Sequence, residues 1–406
     1  MNASWRWPIS HVQYSCASAG QLTLVGGAGD FSSQGTIRNP GNLDAQLRGA
    51  VDNLSESLAG QGCDLEDVMR FKAFYTGDCD DWRIIASLSD SVASDPMPAI
   101  STLPVPLQPF PEQLIQIQAI AQKGWRRFGD VRVAPRPVPQ SKQAYFKGRA
   151  VTGGLRASEF WVLANRTAAD DNDVIAAPGD AIAQSPLVQR IHEETLAALG
   201  CSLQDSIKME GYYFGETSSE FAEIAKARRA RIHEPGPCGT VVPCHQLNPS
   251  GAATKIEHMG FRTHRNGFDK YIPREDFWPE RVWDWPVELP YRQGQKLRDT
   301  IWTTGQVPWE PGSNSGRWMH AGDLHAQTRL VLSYVGDLLR GYNRGFHDLK
   351  LLTCYFTSDG SSSQTKAFLD TVAATLGSAL PPMTLVPQPY MHDPDATVEI
   401  WGLAQA

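Results

Sequence analysis

The sequence predicts an α+β fold made from one unit written three times. Three observations carry this: a residue frame that recurs without gaps, helices with apolar residues at three and four spacing, and strands that alternate apolar and polar.

The frame begins at an Ala-Gln dipeptide, found as Ala45-Gln46, Ala183-Gln184 and Ala326-Gln327. An Asp follows each Gln by 21 positions (Asp67, Asp205, Asp348), and the second member of an aromatic pair follows by 29, in Phe74-Tyr75, Tyr212-Tyr213 and Tyr355-Phe356. Each copy then has a proline before a short turn, at Pro98, Pro237 and Pro382. Just past that turn stand Ile100, Gly239 and Met383, and 16 residues beyond them Gln116, Lys255 and Glu399.

Every unit therefore reads as strands, helix, strand, helix and a last strand. The first helix places Leu47, Ala50, Val51, Leu54 and Leu58 on one face. Segments such as QLTLVGG, EFWVLANR and TIWTTGQV alternate, so the helices cover one face of each sheet and something else must cover the other. The expected units span 1–124, 141–262 and 285–406, the second being the most divergent. Linkers at 125–140 and 263–284 are rich in Pro, Arg and aromatics, and the tryptophans at 278, 283 and 285 are expected to pin the second one to the body.

Composition narrows the function classes. A net charge of −7 over 406 residues with no basic stripe argues against a nucleic-acid partner. No stretch reaches the roughly 18 apolar residues of a membrane span, and the N-terminal MNASWRWPISHVQYS lacks the pattern of a secretion signal, so a cytoplasmic protein with no membrane partner is expected. The seven cysteines are an odd number without CxxC spacing and read as reduced thiols. Cys238, Cys244 and His245 do not make a convincing metal set, and His192, His258 and His264 show no ligand spacing. Neither a metal nor a cofactor is expected.

Set in one frame, the units resemble the Rid family, formerly called YjgF/YER057c/UK114. The third copy carries the likeness best, through LPYRQGQKLRDTIWTTGQVPWEPG and the ending TLVPQPYMHDPDATVEIWGLA; the first carries it through PAISTLPVPLQPFPEQLIQIQAIA. The resemblance implies chorismate-mutase-like α+β units, three of which pack their sheets about an axis with ligand pockets at the contacts. Three fused copies would make one chain an intramolecular pseudo-trimer whose pockets are free to differ, and such pseudo-trimers could assemble further into a homo-oligomer.

The same resemblance implies hydrolysis of enamines and imines to ketones and ammonia, with an Arg after the turn clamping a carboxylate and a Glu on the last strand positioning water. Ile100, Gly239 and Met383 occupy the Arg position, so that clamp is lost in all three copies. Only Glu399 keeps the carboxylate, against Gln116 and Lys255, which makes it the expected catalytic residue. Substrate contacts are expected from Tyr291, from Thr304, Gly305 and Gln306 in the family's turn, and from Lys255, Arg166 and Met383; Tyr14, Arg317 and His320 are weaker candidates.

The expected function is thus a deaminase acting on a small carboxylate, an enamine or imine of an unsaturated acid, with 2-aminomuconate or a substituted 2-aminomuconate as the best single expectation. The alternatives are a non-catalytic metabolite-binding protein and a ring-opening hydrolase on a three-repeat scaffold.

Overall fold

The computed structural model describes residues 4–214, 218–263, 273–377 and 380–406. The first unit runs β1 (Cys16–Ala19), β2 (Leu22–Ala28), α1 (Leu43–Ala59), β3 (Val68–Tyr75), α2 (Asp81–Ser89), β4 (Ala99–Pro104) and β5 (Ile115–Gln122). Next come β6 (Val131–Arg136), β7 (Val151–Ala157), β8 (Phe160–Leu163), α3 (Ala181–Leu199), β9 (Ser206–Tyr213), α4 (Ser218–Arg229), β10 (Cys238–Pro243) and β11 (Thr254–Phe261). The third set is β12 (Arg274–Phe277), β13 (Gly294–Leu297), β14 (Thr300–Thr303), α5 (Leu324–Gly341), β15 (Leu349–Thr357), α6 (Ser362–Leu376), β16 (Met383–Gln388) and β17 (Val398–Gln405).

Each set forms its own sheet, in the order β1-β2-β5-β3-β4, then β6-β7-β8-β11-β9-β10, then β12-β13-β14-β17-β15-β16. The pairs β3/β4, β9/β10 and β15/β16 are parallel and the remaining pairs antiparallel. The stretches between the repeats are structured: β6 and β12 each add an edge strand to the sheet that follows.

The recurrent residues have mechanical roles. Asn42, Asp180 and Asp323 cap α1, α3 and α5 by accepting from the backbone N–H three residues on. The repeated Gln then staples each helix start to the loop before the last strand. Gln46 donates to the carbonyls of Asn39 and Glu112 and accepts from the Leu114 N–H. Gln184 does the same with Ala177, Gly251 and Ala253, and Gln327 with Met319, Asp395 and Thr397. Asp67, Asp205 and Asp348 each accept a backbone N–H from three residues before, closing the turn that starts β3, β9 and β15. Since these bonds need a fixed side-chain type at a fixed position, the frame survives where the rest of the sequence has diverged.

One face of every sheet carries its helices, with Leu47, Ala50, Leu54 and Leu58 of α1 buried as the periodicity requires. The opposite faces meet one another. Leu24, Met69 and Phe74 of the first unit join Leu155, Ile207 and Tyr212 of the second and Trp302, Leu351 and Trp401 of the third in one apolar core. The chain is therefore an intramolecular pseudo-trimer of α+β units, each covering its neighbours' open sheet face.

Ionised groups lie within this shared core. Lys72 and Arg70 on β3 face Glu210 on β9 and Glu257 on β11: Lys72 Nζ is 2.9 Å from Glu210 and 2.5 Å from Glu257, and Arg70 Nη2 is 2.7 Å from Glu257. All four are buried. The third unit contributes neutral donors, Tyr355 Oη at 3.3 Å and Trp401 Nε1 at 3.2 Å from Glu210. The units join in a cycle, β4 against β7, β10 against β14, and β16 against β2.

Candidate active site

Strand pairing confirms the equivalence of the three last-strand positions. Gln116 stands opposite Phe74, Lys255 opposite Tyr212 and Glu399 opposite Tyr355, each time the first residue of the aromatic pair. Ile100, Gly239 and Met383 are likewise in register with Phe71, Met209 and Leu352. Each junction brings one unit's post-turn residue to the next unit's last-strand residue.

Two junctions are filled. Between the first and second units, Asn165 inserts its side chain, accepting from the Thr102 N–H at 3.3 Å and donating to the Thr102 carbonyl at 2.7 Å. Beside it, Lys255 pairs with Asp81 at 2.5 Å, and the other Asp81 oxygen accepts from Tyr75 Oη at 2.7 Å. Between the third and first units, Gln116 donates to the Leu385 carbonyl at 2.5 Å, and Gly26 packs on the Met383 backbone so closely that a Cβ would lie 2.5 Å from its oxygen.

At the junction of the second and third units the equivalent residues are Gly239 and Gly305, which have no side chains to insert. Their backbones still meet, with the Gly305 N–H donating to the Gly239 carbonyl at 2.8 Å and the Gly239 N–H to Thr304 Oγ1 at 2.9 Å. The space left is a cavity of about 230 Å³. Glu399, His392 and Gly305 lie at its inner end, and Ser315 and Pro286, both exposed, at its rim. Its walls are aromatic: Phe221 from α4, Tyr291, and Trp283, Trp285, Trp309 and Trp318 from the segments flanking β13 and β14. Neither Lys nor Arg lines it among the described residues.

Glu399 is 3% exposed and is held on one side only. Its Oε2 is 2.7 Å from His392 Nε2, while Oε1 packs against Gly305 so tightly that any Cβ there would collide with it. His392 Nδ1 is 3.1 Å from Tyr213 Oη, on the neighbouring unit. Burial, reinforced by the Glu399 charge and opposed by Arg228, pushes the Tyr213 phenol above its ordinary pKa, so Tyr213 keeps its proton. A carboxylate only accepts, so Nε2–H donates to Glu399, and in the neutral imidazole Nδ1 accepts from the Tyr213 hydroxyl. The chain of bonds thereby fixes the imidazole tautomer and leaves Oε1 for a ligand or water. Behind the cavity, Lys208 donates to Thr240 Oγ1 at 2.6 Å and to the Thr303 carbonyl at 2.9 Å. Burial pushes its ammonium down to about 8 against the pull of Glu210, Cys238 and Glu399.

The structure brings together four of the residues singled out from the sequence: Glu399, Tyr291, Thr304 and Gly305. Gln306 is next to them in the chain but turns away, donating to Gln293 at 2.7 Å. Lys255 and Met383 sit in the two filled junctions instead. Arg166 lines a separate, larger and more open depression of about 810 Å³ with Ile175, Leu187 and Glu194, beside α3. Tyr14 and His320 are exposed, and Arg317 is an exposed partner of Glu310.

His192 and His258 are buried in ordinary polar packing, on the Ile256 carbonyl and on Ser206 and Gln189, while His264 lies outside the described residues. No group of His, Cys, Asp and Glu among the described residues could hold a metal ion, and no described helix is long and apolar enough to cross a membrane. Sequence reasoning missed His392 and the four cavity tryptophans. The signal for His392 was its place seven residues before Glu399 in YMHDPDATVE; Trp283 and Trp285 read from sequence as pinning a linker in preference to forming an aromatic cofactor or sugar platform.

Comparisons with known proteins agree with this architecture. The family model described as Endoribonuclease L-PSP matches residues 7–123 and 285–406, the first and third repeats. Protein mmf2, mitochondrial, of Schizosaccharomyces pombe is 30% identical over 121 residues, which cover 28% of this chain and 95% of that protein. A chorismatase crystal structure at 13% identity covers 84% of this chain and 93% of its own with a TM-score of 0.53, a likeness of overall fold. The Escherichia coli YjgF gene product is 21% identical, covering 32% of this chain and 98% of its own at a TM-score of 0.27.

Proposed function

Since this chain belongs to the Endoribonuclease L-PSP family, the Rid/YjgF proteins, we propose that it hydrolyses an imine or its enamine tautomer to a carbonyl compound and ammonia in the cavity between its second and third units. One observation carries the reading. Of three equivalent last-strand side chains, the carboxylate is the one that faces open space, with one oxygen tied to His392 and the other untied.

In this mechanism the substrate enters as the protonated imine. Glu399 Oε1 takes a proton from water as the water oxygen bonds to the imine carbon, giving a neutral carbinolamine. The same carboxyl then returns that proton to nitrogen; the C–N bond breaks, ammonia leaves, and the carbonyl forms as the hydroxyl proton is released. Imine cation and water are consumed, and ketone or aldehyde and ammonium are produced. His392 holds the carboxylate through Nε2–H, and Tyr213 holds His392.

The cavity gives no support to a dicarboxylate such as 2-aminomuconate, because none of its described lining residues is a cation. All seven cysteines are free thiols, which suits a reducing compartment.

The test is ammonia release from imines generated in situ from amino acids and simple amines by an amino-acid or amine oxidase, with oxygen as the oxidant. Glu399→Gln should lower the rate by about 10²-fold or more. Undiminished release in the variant would remove Glu399 from the chemistry, and tight ligand binding with no release by the unaltered protein would leave the binding-protein reading in its place.

A further inference from the structure

We infer that the cavity selects an organic cation, an iminium or protonated amine on a flat apolar body, and discriminates against anions. This rests on the proposed site and names the class of substrate it admits.

The argument starts at Gly239. The resemblance to the family implies an arginine there, and here the residue has no side chain. The space is taken by Tyr291, whose ring carbon would lie 3.4 Å from a Cβ on Gly239. A fixed positive fork has thus been replaced by the negative face of an aromatic ring, which reverses the sign of charge preferred at that point.

The rest of the lining has the same sign. Trp285, Trp283, Trp309 and Trp318 form a continuous chain, with successive ring centroids 5.2, 4.8 and 5.3 Å apart. The first two pairs are near perpendicular, at 79° and 82°, so the wall turns a corner instead of offering one flat shelf. Such a corner surrounds a compact cationic head with ring faces and edges, while the apolar remainder packs on Val241, Val287 and Val307. Glu399 is the one acidic residue among the described lining residues, and it sits at the inner end, where a positive centre would come to rest.

Two cations lie near, and both are withdrawn from the lining. Lys208 is fully buried, spends its ammonium on Thr240 and Thr303, and lies 4.4 Å over the Trp401 ring. Arg228 is fully buried in α4, donating to Thr254 Oγ1 and packed on Gly211. Arg228 keeps Nε and Nη1 without partners, yet neither it nor Lys208 is among the described residues that line the cavity.

The test uses three benzyl probes with no C=N bond: benzyltrimethylammonium, its neutral isostere neopentylbenzene, and the smaller anion phenylacetate. Affinities for the full-length protein would be read from tryptophan fluorescence and calorimetry. The expected result is at least tenfold tighter binding of the cation than of either other probe. Trp318→Leu, at a half-buried position, should weaken the cation several-fold with an unchanged far-ultraviolet spectrum, and Glu399→Gln should narrow the gap between cation and neutral probe. Phenylacetate binding as tightly as the cation, or no cation binding up to millimolar concentration, would overturn the inference. Because the probes cannot be hydrolysed, loss of the deaminase reading would leave cation binding intact, and turnover of an anionic imine without cation binding would sink this inference alone.

Discussion

Tyr213 shows how much of the proposed chemistry hangs on a residue that touches no reacting atom. Its hydroxyl donates to His392 Nδ1 and so holds the tautomer whose Nε2–H bonds to Glu399. Tyr213→Phe should lower kcat about tenfold with KM nearly unchanged, because the imidazole is then free to exchange tautomers. A purely structural tyrosine would change stability and leave kcat per folded molecule in place. A second single-residue prediction concerns acid sensitivity. Burial pushes His192 down to about 4, so between pH 6.5 and 4 the unfolded chain binds the proton first. Stability contributed by His192 is therefore complete above pH 6.5 and is lost as pH falls toward 4, by roughly 3 kcal/mol. Chemical denaturation across that range should show His192→Gln flatter than the parent chain.

Among the elements, the end of β2 and the turns after β8 and β14 decide which junctions open. Gly305→Ala should displace the Glu399 carboxylate and abolish ammonia release while shifting Tm by only a few degrees, since a side-chain end can move. Gly26→Ala should do the reverse, costing about 1–3 kcal/mol in the melting transition with activity per folded molecule unchanged, because its obstacle is the Met383 backbone. The contrast also shows what could be read from sequence. The repeat, the helices and the equivalence of Gln116, Lys255 and Glu399 were legible because Gln46, Asp67 and their counterparts perform local tasks at fixed spacing. The loss of the arginine was legible for the same reason. That Tyr291 would lie over Gly239, or that Trp283 and Trp309 would meet 4.8 Å apart, was not, because those contacts join segments whose separation no periodicity constrains. Arg166 misled for a related cause: it stands where Gln306 does in the third unit, bridging the residue after Lys255 as Gln306 bridges the one after Glu399, and that position faces away from the junction.

In the whole molecule, the buried charges at the centre make the three units non-interchangeable. The first unit supplies cations, the second carboxylates, and the third Tyr355 and Trp401. Burial alone would raise the pKa of Glu257, yet Arg70 and Lys72 outweigh it and hold it ionised below its ordinary value. Removing one cation should leave a buried carboxylate undercompensated: Lys72→Met is expected to cost about 3–5 kcal/mol by calorimetry, whereas Lys147→Met at the exposed pair with Asp90 should cost under about 1 kcal/mol. A lone copy is in a harder position. Three excised first units placed about one axis would bring only Arg70 and Lys72 together, so we predict that the fragment sediments as a monomer or fails to fold. The first two copies carry charges that neutralise only each other, so separate copies of a single unit could not close the same centre: covalent continuity is here a condition of having a core.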